Sequence, residues 1–133
     1  MSQQLGMTVY LQTDYETALN TVTEALKAEG FGVLTEIDVK ATLKKKIDVD
    51  FRPYKILGAC NPPLAHKALT AAPEVGMLLP CNVTVSQEAD GQILVNIINP
   101  YMMMGVVNAP ALTEIAQEAK ERLDRVTKSL AAG

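Results

Sequence analysis

The dipeptide Asp90-Gly91 constrains this chain most, because its residues readily adopt the left-handed backbone of a tight β-hairpin turn and it sits between two strand-like runs. Residues 77–86 read as a strand interrupted at Pro80, and residues 92–98 as its partner. The turn makes them antiparallel neighbours with a fixed register, so the sheet is expected to be mainly antiparallel.

Residues 7–11 read as a short strand. Thr13-Asp14-Tyr15-Glu16 then has capping-box spacing, in which Thr13 and Glu16 satisfy each other's helix-end amides. The helix that follows carries Ala18, Leu19, Val22, Ala25 and Leu26 on one side, and Gly30 supplies its left-handed stop. Residues 31–37 form a second strand. Asp38 caps a short helix with Val39, Leu43 and Ile47 along one side and Lys44-Lys45-Lys46 on the wet side. Pro53 breaks the chain before a strand over 54–59 that is nearly all apolar and is therefore placed centrally. Cys60-Asn61-Pro62-Pro63 is a helix entry: Asn61 is a good N-cap, and Pro62 suits the first helical position, where no amide donor is needed. That helix runs to about residue 72. Residues 99–109 are expected to be an unusually apolar loop. Pro110 opens a last helix whose Leu112, Ile115, Ala119, Leu123, Val126 and Leu130 make one stripe.

The 133 residues suit one domain, 1–133, with a single core. Twelve Lys and Arg against fifteen Asp and Glu give a net charge of -3, which argues against nucleic-acid binding. No apolar run approaches the ~20 residues needed to cross a bilayer, and Met1-Ser2-Gln3-Gln4 does not begin like a signal peptide. The expected location is the cytoplasm, with no membrane partner. There, two cysteines are expected to be free thiols, metal ligands or redox groups rather than a structural disulfide.

Four segments together are distinctive: Gly30-Phe31-Gly32-Val33-Leu34, Ile56-Leu57-Gly58-Ala59-Cys60-Asn61-Pro62-Pro63, Ala65-His66, and Gly76-Met77-Leu78-Leu79-Pro80-Cys81-Asn82-Val83. On these the chain resembles the domain-of-unknown-function 302 family over nearly its whole length. The resemblance implies an α+β fold: a two-layer sandwich with a mixed, mainly antiparallel five-stranded sheet and helices packed on one face. It also implies a homodimer, and it brings no settled activity. Family members need not all carry both cysteines, so the thiols can mark a subgroup.

Cys60 ends a strand and precedes a helix start, where free amides and the positive end of the helix dipole favour a thiolate. The plain alternative is a small buried hydrophobe. Cys81 follows Pro80 at a break in its strand. If the two strands are neighbours, the sulfurs come within disulfide range, although a spacing of twenty residues is not a CxxC motif. Pro80 is expected to be trans, marking a bulge or an edge. His66, the only histidine, lies six residues past Cys60 and is a candidate base or ligand, against the plainer reading of an exposed helix residue. Asn61, Pro80 and Met103 are the candidate ligand contacts. Met102-Met103-Met104 adds thioethers that, with thiolates, suit Cu(I), although adaptable Met more often fills gaps. Glu36, Asp38, Asp48 and Asp50 show no spacing that commits two of them to one pocket. No Walker loop, GxGxxG, HExxH or GxSxG sequence is present. No cofactor is named by the sequence.

Three functions compete on this reading. The leading one has Cys60, Cys81 and His66 handling thiol, persulfide or disulfide chemistry. The second is a non-catalytic dimeric module holding a small ligand or a soft metal between the sheet and the Met102–Met104 segment. The third is an assembly role in which the apolar loop and the last helix form the dimer contact.

Overall fold

The structure is a computed structural model that describes residues 5–107 and 109–132; the opening Met1–Gln4 segment and Asn108 of the apolar stretch lie outside it. Five strands, β1 (Gly6–Leu11), β2 (Gly32–Asp38), β3 (Tyr54–Cys60), β4 (Cys81–Gln87) and β5 (Ile93–Ile98), form one sheet in the order β1-β5-β4-β3-β2. Every neighbouring pair is antiparallel, so the sheet is not mixed. The reason lies in the crossovers: α1 (Tyr15–Ala28) carries the chain from one sheet edge to the other, where its parallel strands never touch. β3 is interior, flanked by β2 and β4.

The hairpin at Asp90-Gly91 joins β4 to β5, with Glu88 N donating to Gln92 O at 2.8 Å. Alternation along the strands then gives the sheet two different sides. One carries Val9, Leu57, Val83, Val85, Val95 and Ile97 and is covered by α1, α3 (Pro62–Ala71) and α5 (Ala111–Ala132). The buried stripe of α5 is the expected one, from Leu112 through Leu130. α2 (Val39–Ile47) links β2 to β3, touches both, and buries no residue.

Caps place the helices. Asp38 Oδ1 accepts from Ala41 N at 2.9 Å, and Asn61 Oδ1 from Leu64 N at 3.2 Å. α1 is capped by Asp14 rather than by a Thr13–Glu16 box: Asp14 accepts from Thr17 N at 3.0 Å and from Thr17 Oγ1 at 2.6 Å. Those bonds to an ionised carboxylate hold its pKa below the usual range. Gly30, at φ 85°, ends α1 in the left-handed conformation. Beyond it, Arg122 Nη1 of α5 donates to Glu29 O at 3.0 Å, placing a cation at the negative end of α1. Tyr15 Oη donates to Val85 O at 2.7 Å and pins the start of α1 to the sheet.

Two expectations about the middle of the chain are corrected. Residues 73–78 form a 3-10 turn, and β4 begins only at Cys81. Met77 and Leu78, read as the start of the strand, instead end this turn, which packs by burying Val75 completely. Pro80 follows a cis bond from Leu79 and is not trans. Its ring lies over Gly58, where a side chain would meet Pro80 Cγ at 2.7 Å and Thr35 Oγ1 closer still, so only glycine fits. The apolar stretch after β5 is not all loop either: Asn99 caps α4 (Pro100–Met104), accepting from Tyr101 N at 3.0 Å.

Candidate functional site

The chain leaves β3 at Cys60 and re-enters β4 at Cys81, opposite Ala59, so departure and return are at the same end of the sheet. The intervening residues 61–80 rise as α3 and the 3-10 turn and pack against α5. Beneath this excursion lies a cavity of about 290 Å³. Ala59, Cys60 and Cys81 form its floor, Leu64, Ala65 and Leu69 of α3 one wall, Ile115 and Ala119 of α5 another, with Met104, Phe31 and Leu34 closing it. None of these side chains is charged. Leu34 and Leu69 are exposed at the rim, and Met77, beside the lining residue Gly76, is 85% exposed.

Of the predicted residues, Cys60, Asn61, Pro80 and Cys81 all line this cavity. His66 and Met103 do not. His66 is exposed, since helical spacing turns Leu64, Ala65, Ala68 and Leu69 inward and position 66 outward. Met103 is buried in the core, and Met104 is the methionine that reaches the cavity.

The two cysteines are not a bonded pair. Both are free thiols, and the residue directly opposite Cys81 in the sheet is Ala59, not Cys60. Neither environment favours a thiolate. Burial pushes Cys60 upward, and burial first, then the charge of Cys60, pushes Cys81 up to about 11.

The expected helix-dipole activation of Cys60 fails for a reason written in the residues after it. Pro62 and Pro63 occupy the first two helical positions and have no N–H. The Leu64 N–H is taken by Asn61 Oδ1, and Ala65 N donates to Asn61 O at 2.9 Å. With the two prolines unable to donate and the Leu64 and Ala65 amides engaged, desolvation decides the outcome. Reading the second proline for the donor it removes would have found this.

Asn61 is the most polar group at the site. It is 7% exposed, and its Oδ1 is engaged in the cap. Its Nδ2 stands 2.9 Å from where a side chain on Gly30 would begin, so the cap residue of α3 occupies the space left by the glycine that ends α1. Among the described residues no group of three or more His, Cys, Asp or Glu could hold a metal, and no helix is long and apolar enough to cross a membrane.

No curated protein matches the chain. Among solved structures it is similar to a crystal structure of an uncharacterized conserved DUF302 protein from Bacillus stearothermophilus. The two are 36% identical, with 96% of this chain and 99% of that chain covered and a TM-score of 0.87. The family model of the domain of unknown function DUF302 matches residues 7–130. The chain belongs to the DUF302 family.

Proposed function

We propose that this domain is a non-catalytic binding module for a small, neutral, largely apolar molecule held under the α3 excursion. The observation that carries the reading is an apolar cavity of about 290 Å³ without a charged side chain. At the roughly 30 Å³ that a water molecule occupies in the liquid, this is room for about ten methylene-sized groups. Cys60, Asn61 and Cys81 supply the few polar contacts, with the thiols as soft, protonated lining rather than nucleophiles. Two unpaired thiols suit the cytoplasm, where they stay reduced.

The test is a titration with the neutral dye N-phenyl-1-naphthylamine, comparing wild type with Ala65→Trp, which fills the cavity from the α3 wall. Saturable, one-to-one enhancement that disappears in Ala65→Trp at unchanged folding is the expected result. Equal enhancement in both proteins, or none in wild type, overturns the reading.

A further inference from the structure

We infer that the molecule held under α3 carries a neutral carbonyl group, and that the side-chain amide of Asn61 donates the hydrogen bond that selects it. The inference rests on the cavity reading above and names the chemical class of its ligand.

The helix cap orients this amide. Asn61 Oδ1 accepts from Leu64 N at 3.2 Å, a bond that only the amide oxygen can take. The other terminal atom is therefore the nitrogen, with two N–H donors and no acceptor capacity. Among the described residues no acceptor pairs with those donors. Asn61 is nevertheless 7% exposed, and it borders the apolar cavity. Nor is its nitrogen sealed off from that space, since among the described residues no fully enclosed side-chain nitrogen or oxygen lacks a partner.

A donor pair in apolar surroundings discriminates by what it would be left with. A hydrocarbon entering the cavity would displace water from the amide and give nothing back. A carboxylate calls for a cation, and Arg122, whose Nη1 also borders Gly30, is already engaged by Glu29 O and by Glu118 Oε2. An alcohol can accept from Asn61, but it brings an O–H of its own, and the lining side chains offer that proton only sulfur or the occupied Asn61 Oδ1. A ketone, aldehyde or ester supplies an acceptor and no donor, which matches the free half of the amide.

The same helix sets the direction of the bound molecule. Leu69 lies eight residues beyond Asn61 along α3, about 12 Å at the helical rise, and is exposed at the rim. The carbonyl end sits at the buried start of α3, and the apolar chain follows Leu64 and Ala65 outward to Leu69.

Displacement of bound N-phenyl-1-naphthylamine by octan-2-one and by 2-methyloct-1-ene, in which C=CH2 replaces C=O, tests the inference in wild type and Asn61→Asp. Aspartate caps a helix as well as asparagine does and removes both N–H donors. The ratio of ketone to alkene affinity should fall about tenfold or more in Asn61→Asp. An equal ratio in the two proteins, with both compounds displacing the dye, overturns the inference and leaves the cavity reading standing. Failure of dye and both compounds to bind wild type overturns both. Should Asn61→Asp not fold, the wild type decides alone through the Asn61 side-chain amide protons in nitrogen-15 NMR. Octan-2-one should move them downfield and 2-methyloct-1-ene leave them in place; equal shifts with both compounds overturn the inference.

Discussion

Ile97 and Ile98 are consecutive residues of β5 with identical side chains, yet they inhabit different surroundings. Ile97 is fully buried beneath the helices, and Ile98 is partly exposed on the uncovered side. The same contrast separates α5, which buries seven residues, from α2, whose Val39, Leu43 and Ile47 pattern buries none. Periodicity tells which side of an element is apolar. It does not tell whether this chain supplies the cover, and the second layer here exists on one side of the sheet only.

The comparison breaks most visibly by truncation. Ile97→Ala should cost about 2–5 kcal/mol in urea unfolding, because it leaves a cavity in a packed core. Ile98→Ala should cost under about 1 kcal/mol, because its side chain keeps access to water. Equal losses at the two positions would mean that the sides are not distinct.

The thiols sharpen the contrast within the site. Their folded pKa values are raised, so the stability that goes with keeping them protonated is present below the ordinary thiol value of 9.0 and is lost as pH climbs toward the folded value of about 11 for Cys81. The two-unit rise at Cys81 corresponds to about 2–3 kcal/mol, lost between roughly pH 9 and pH 11. Most of that loss should vanish in Cys81→Ala, read as the pH dependence of the unfolding midpoint. A stability that stays flat across the window in wild type would place Cys81 in water.

A smaller effect belongs to the helix start. Asn61→Ala removes the cap on Leu64 N and should cost about 1 kcal/mol. Restoration by Asp at the same position would assign the loss to the cap. A loss unchanged by Asp would assign it to the amide beside Gly30.

Local chemistry was legible in the sequence. Asp90-Gly91 fixed a hairpin, Asp38 and Asn61 capped the helices they were expected to cap, and the α5 stripe is the buried one. The misreadings occur where nonlocal packing overrides local pattern. Met77 and Leu78 looked like strand because they are apolar, but they end a 3-10 turn that packs by burying Val75 and leaves Met77 exposed. The all-antiparallel sheet depends on which strands the helices carry to opposite edges, and no local motif encodes that. The cavity joins residues 31 to 119, so only Cys60, Asn61, Pro80 and Cys81 stood out along the chain, while Ala65, Ile115 and Ala119 carried no signal beyond being apolar.

The central claim, a cavity selective for neutral apolar molecules, is tested most directly by calorimetric titration of the wild-type protein with octan-1-ol and with octanoate. The two share a chain length and differ in charge, and no lining residue offers a cation. The account predicts saturable one-to-one binding of octan-1-ol, with a negative heat-capacity change from apolar burial, and at least about tenfold weaker binding of octanoate. Octanoate binding as tight as octan-1-ol, or no saturable binding of octan-1-ol, would contradict it.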